Sequence, residues 1–138
     1  MQLEAIKDWK DLYSPNYPEK YYDNAHCDWL IRSSSIYTTV EVIELELENV
    51  FDTLTIYDGI SSNSPVLVIL SGTVNTPTVV TSSSKYLYAL FTTDYATARK
   101  GFHLQYKSMY CFLILLAIAS EAVVHSKLSR NFMKIRLE

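Results

Sequence analysis

Glycine is scarce in this chain, at three of 138 residues, and so are proline, at four, and cysteine, at two. So little glycine leaves no material for a phosphate cradle, and the sequence holds no P-loop, no H-E-x-x-H helix and no G-x-S-x-G elbow. Nothing in it therefore invites nucleotide hydrolysis, zinc proteolysis or acyl transfer. Cys27 and Cys111 match no zinc spacing and do not decide the redox compartment. His26, His103 and His125 show no metal spacing either, and His103, on an alternating segment, reads as a surface residue. An excess of positive charge is missing too: twelve basic against fifteen acidic residues give a net charge of −3, no footprint for phosphate backbones, so nucleic acid is not an expected partner. The first ten residues, MQLEAIKDWK, contain no apolar core of a secretory signal, and no Asn-x-Ser/Thr acceptor occurs before the C-terminal tail.

What is present is β-forming. Eleven Tyr and many Thr and Val suit a pleated, half-buried surface, and 138 residues are enough for one domain with a core plus a short appendage. Residues 1 to 13 are polar and ambiguous, and SPNYP, Ser14 to Pro18, punctuates an extended segment. Cys27 to Ile31 reads as a strand with Trp29 and Ile31 on one face. From Thr39 to Leu47 the apolar positions change phase between Val42 and Ile43, which predicts a β-bulge there. Thr53 to Tyr57 points Leu54 and Ile56 inward, and Asp58-Gly59 closes it with a turn. Val66 to Leu70 is a short apolar strand. Tyr86 to Phe91, YLYALF, is apolar on both faces, as expected of a strand central to a sandwich. Phe102, Leu104 and Tyr106 alternate with polar residues to give the last strand. Short alternating strands between Ser, Asn, Gly and Pro clusters predict an all-β fold, a two-sheet antiparallel sandwich.

The character changes at Ser108. Met109 to Ala119 is a continuous apolar run of eleven residues, too short for a bilayer, which needs roughly 20. Read alone, Lys107 to Ser126 looks like a secretory signal, with Ala117-Ile118-Ala119 as cleavage motif, but in the wrong place for one. A helix packed on the sandwich, an unstructured tail and a mis-joined gene model all remain open. The expected organisation is a domain over 1–107, a hydrophobic segment over 108–126 and a basic tail over 127–138.

Acidic residues cluster where they invite a hard cation. Glu44, Glu46 and Glu48 share one polar strand face, and a row of this kind is ordinarily a solvated surface. The surrounding motifs change its weight. SPNYP, Tyr21, CDWLI at Cys27 to Ile31, IELELENVFDTLTIYDG at Ile43 to Gly59, FTTD at Phe91 to Asp94 and GFHLQY at Gly101 to Tyr106, in this order, resemble a CUB domain. The resemblance implies an extracellular, jelly-roll-like β-sandwich that serves as a binding module rather than an enzyme. In the calcium-binding branch, one acidic ligand lies eight residues before the Asp of the C-x-Y-D strand motif and another ends the F-x-S-D loop. These carry over to Glu44, Asp52 and Asp94 as metal ligands. Tyr21 matches the tyrosine that orients the glutamate, and Ala96 falls where a backbone carbonyl normally adds to the site. Calcium wants several oxygen ligands and two or three carboxylates to offset its charge. The resemblance further implies a protein partner whose Lys or Arg docks on the metal-fixed carboxylates, with Glu44, Asp94 and Tyr95 as the contact residues and Tyr22 flanking them.

The chain departs from the family at its cysteines. Cys27 matches one half of the first family disulfide, with no cysteine upstream to pair with, and pairing with Cys111 is disfavoured because Cys111 lies in the tail. Asn49 and Ser71 stand where the second disulfide would be. The Gly-rich opening is absent, implying a truncated or replaced first strand. Three alternatives stay open: a metal-free module whose Tyr-rich faces stack on carbohydrate, a non-catalytic part of a larger secreted protein such as an astacin-like protease, and a non-functional product of an altered gene model. Secreted or extracellular location rests on the resemblance alone.

Overall fold

A computed structural model describes residues 1–110. Ten strands follow in chain order: β1 (Gln2–Ala5), β2 (Lys10–Tyr13), β3 (His26–Ser33), β4 (Tyr37–Glu46), β5 (Thr53–Tyr57), β6 (Val66–Leu70), β7 (Thr73–Val74), β8 (Thr78–Thr81), β9 (Tyr86–Thr92) and β10 (Gly101–Met109). They form two sheets, β1-β3-β9-β5-β6 and β2-β10-β4-β7, with β8 also pairing β4. The all-β sandwich expected from the strand pattern is the observed fold. The expected hydrophobic appendage and basic tail from Cys111 onward lie outside the described residues. Among the described residues no helix is long and apolar enough to cross a membrane.

The strands read from alternation appear with their inner faces as expected. Trp29, Ile31, Leu54, Ile56, Leu87, Phe91, Phe102 and Leu104 are buried in one core. The phase change at Ile43 is a bulge: His103 pairs Glu44 while Leu104 pairs Val42, leaving Ile43 without a partner and partly exposed. The extra residue lets Val40 and Val42 before it, and Leu45 and Leu47 after it, all face the core. β9 is the middle strand of its sheet.

The sheets are not antiparallel throughout. β1 runs parallel to β3, with Gln2 opposite Leu30 and Ala5 opposite Ser33. After β1 the chain crosses to the other sheet as β2 before returning as β3, so no hairpin constrains the pair to run in opposite directions. The ambiguous first residues thus supply two short strands. His103 is also less exposed than a plain surface residue, because its ring stacks on Tyr13 at 4.6 Å and bonds Asp11 at 2.7 Å.

An edge-to-face series of rings ties the sheets together and leads to one end of the sandwich. Trp29 meets Phe102 at 5.9 Å, Phe102 meets Phe91 at 5.3 Å, and Phe91 meets Tyr21 at 5.3 Å. Such contacts add about 0.5–1.5 kcal/mol each beyond the area they bury. Tyr21 is delivered by the SPNYP segment, which leaves β2 at Ser14. The Ser14 amide donates to the Phe102 carbonyl, and its hydroxyl accepts from the Phe102 amide at 2.9 Å. Gly101 has φ of 95°, and a Cβ there would collide with the Ser14 hydroxyl, so only glycine fits beside this crossing.

Candidate metal centre

Three carboxylates converge at the end of the sandwich where Tyr21 sits. Glu48, Asp52 and Asp94 each offer an oxygen within 4.8 Å of the others. The segment between β4 and β5 turns tightly, the Asp52 amide donating to the Glu48 carbonyl at 3.2 Å, so that residues four apart face the same way. Asp94 arrives from the loop after β9. Its amide donates to Asp52 Oδ1 at 2.8 Å, and its own Oδ1 accepts from the Ala96 amide at 3.0 Å.

Tyr21 joins two members of the cluster. Its hydroxyl donates to Asp52 Oδ2 and accepts from the Glu48 amide at 3.0 Å. Burial, and then the Asp52 carboxylate, push the phenol up to about 12, so it stays protonated and able to donate across the physiological range.

Asp52 is fully buried, and Glu48 Oε2 is buried with no hydrogen-bond partner. Among the described residues the ion pairs are Met1 with Asp28, Lys100 with Glu44, and His103 with Asp11, so no cationic side chain pairs with the cluster. Adjacent carboxylates repel, and an unsatisfied buried one carries its whole desolvation penalty. The donor set fits a hard cation: three carboxylates, one with a buried oxygen that has no hydrogen-bond partner, and hydrogen bonds that fix two of them.

Asp52, Asp94 and Tyr21 lie together, with the Tyr21 hydroxyl on Asp52 and the Glu48 amide rather than on Glu44, the glutamate that the resemblance assigned to it, and Glu44 lies outside the cluster. Glu44 Oε1 accepts from Lys100 Nζ at 2.6 Å and Oε2 from the Tyr17 hydroxyl at 2.8 Å. Lys100, and next Tyr17, hold its carboxyl below the usual carboxylate range. Glu48 is the residue that the sequence reading did not name, and the turn in which the Asp52 amide bonds its carbonyl brings it to the cluster. At Ala96 the amide bonds Asp94. Tyr95 and Tyr22, named as partner contacts, are 80% and 61% exposed, and Val50 and Phe51 are exposed in the loop leading to Asp52.

Ser71 ties the turn down by hydrogen bonds. Its hydroxyl lies 2.7 Å from the Asp52 carbonyl and 3.2 Å from that of Glu48, and accepts from the Val50 amide at 2.8 Å. The Asn49 side chain lies against Gly72. Cys27 is the free cysteine of the described residues, half-buried against the core, and burial pushes its thiol up.

Comparison with known proteins gives this geometry its setting. The CUB domain family model matches residues 3–106. CUB and zona pellucida-like domain-containing protein 1 of Homo sapiens is 39% identical over 102 residues, which cover 70% of this chain and 16% of that protein. Cubilin of Canis lupus familiaris is 32% identical over 96 residues, 67% of this chain and 3% of cubilin. Astacin-like metalloendopeptidase of Gallus gallus is 37% identical over 101 residues, 70% of this chain and 25% of the enzyme. The chain thus matches only a minor part of each of these relatives. Among solved structures, the MASP-1 CUB2 domain bound to Ca2+ superposes with a TM-score of 0.64 at 20% identity, over 77% of this chain and 97% of that one. The CUB1-EGF-CUB2 domains of rat MASP-1 give 0.67 at 19% identity, over 79% of this chain and 43% of that one. CUB domains are generally non-catalytic binding modules of extracellular proteins. Fold, motif order and the family match agree, and the chain belongs to the CUB domain family.

Proposed function

We propose that this CUB domain binds calcium through Glu48, Asp52 and Asp94, and that the loops so ordered recognise an extracellular protein through one of its Lys or Arg side chains. The observation that carries the reading is a group of three carboxylates, one of them Glu48 with a buried and unpartnered oxygen, to which no cationic side chain of the described residues is paired. When bound, the ion supplies positive charge that offsets the three carboxylates and draws their loops together. Tyr21 holds Asp52 and the Glu48 backbone in place, as partners that orient metal ligands do elsewhere. That the MASP-1 CUB2 domain of the same fold binds Ca2+ supports the choice of ion.

A partner's ammonium or guanidinium would meet outward oxygens of Asp94 in a charge-assisted hydrogen bond, with exposed Tyr95 and Tyr22 giving apolar contact alongside. Glu44 is not part of this reading, since both its oxygens are already engaged.

Thermal melting of the full chain in excess calcium and in chelator tests it. At a hundred times its dissociation constant an ion that binds only the folded state adds about 2.7 kcal/mol. Glu48→Gln and Asp94→Asn should abolish the gain and Glu44→Gln should keep it. Equal melting of the wild type in both buffers would sink the calcium reading, and the metal-free alternative would take its place.

A further inference from the structure

The outer faces of the two sheets differ in chemistry. Outside the second sheet, β10 presents His103, Gln105 and Lys107 and β4 presents Glu41, the polar alternation that a solvated face requires. The outside of the first sheet breaks this rule. The register places Leu30 beside Tyr88, Tyr88 beside Tyr57 and Tyr57 beside Val66, and in the next row Leu90 beside Thr55 and Thr55 beside Ile69. One apolar row therefore runs over four strands, with Tyr57 and Tyr88 in ring contact at 6.0 Å, and the row beside it, opened by Asp28 and crossed by the buried Thr55, adds Leu90 and Ile69. Val66 and Ile69, at the open edge, are 50% and 61% exposed. A patch of this kind, on a sheet face that no layer of the described residues covers, marks an interaction surface.

The charges on the face point to the occupant. On β3 the outward positions are Asp28, Leu30 and Arg32, two opposite charges placed symmetrically about an apolar centre. Each side of a two-fold interface must complement itself. We propose that this face pairs with the same face of a second copy, about a two-fold axis lying across the strands over the Leu30–Tyr88–Tyr57 row. The axis sets Leu30 and Tyr88 on their own counterparts, Asp28 of each copy against Arg32 of the other, and Leu90 against Tyr86. The other charged groups here do not oppose this: Glu4 sits beside Arg32 on β1, and the Met1 amine lies 3.6 Å from Asp28. The pairing uses strand residues of the sheet face and not the carboxylates of the cluster, so it does not rest on the metal reading.

Sedimentation velocity of the full chain, run in chelator over a range of concentrations, tests the proposal. The wild type is expected to dimerise, with Asp28→Arg raising the dissociation constant about tenfold or more by setting like charges together. Adding Arg32→Asp to that variant should restore dimerisation to within about threefold of wild type, because the charges exchange places. Ile69→Lys, at an exposed edge position where folding is undisturbed, should weaken it as well; circular dichroism confirms the fold of each variant. A wild type that stays monomeric at about 100 µM, or a dimer that none of these substitutions shifts, overturns the proposal.

Discussion

The Ser71 hydroxyl, 2.7 Å from the carbonyl of Asp52, closes the loop that carries two of the three clustered carboxylates. The Glu48 carbonyl, at 3.2 Å, is the more distant acceptor for the same proton, and the hydroxyl oxygen accepts from the Val50 amide. Ser71→Ala removes both the donated and the accepted bond. Stability should fall by about 1–2 kcal/mol in urea unfolding, and calcium affinity, read by calorimetry, should fall with it because the turn that presents Glu48 loosens.

The Tyr21 phenol gives a pH signature. Its folded pKa of about 12 lies above its ordinary value of 10, so the stability it confers is present below pH 10 and is lost as pH rises from 10 toward 12. The expected loss is of order 2–3 kcal/mol. Other tyrosines titrate in the same range, so the quantity to measure is the wild-type unfolding free energy minus that of Tyr21→Phe between pH 9 and pH 12. A flat difference would refute the buried bond to Asp52.

Glu44 and Glu48 are separable by titration and by binding. Lys100 is the main reason the Glu44 carboxyl lies low, so Lys100→Met should raise its pKa toward the ordinary carboxylate range, as followed by carbon NMR. Calcium affinity should be unaffected by Glu44→Gln and reduced strongly by Glu48→Gln.

Val50 holds φ of 75° with a β-branched side chain that is 73% exposed. That region is strained for such a residue, whereas Asn enters it readily and keeps the amide that Ser71 accepts from. Val50→Asn should therefore stabilise the domain by about 1 kcal/mol in denaturant unfolding.

Much of this was legible in the chain. Alternation gave the inner faces of β3, β5 and β10, and the phase change at Ile43 gave the bulge, because strand periodicity is a local property that the side chains themselves enforce. Two kinds of feature were not. Short edge strands such as β1, β2, β7 and β8 form because a neighbouring strand offers hydrogen bonds, and their own residues carry little pattern. The apolar outer row of β9 was visible as YLYALF, but a sequence cannot say whether a second apolar face meets another layer or solvent.

The sequence by itself determined that this is a β-sandwich of the CUB family with an acid in the turn before β5 and another after β9, since these depend on local pattern and motif order. The tertiary structure decided which glutamate joins them. Glu44, Glu46 and Glu48 are equivalent in periodicity, and only the closing of the turn at Asp52, clamped by Ser71 and capped by Tyr21, brings Glu48 into reach and leaves Glu44 with Lys100.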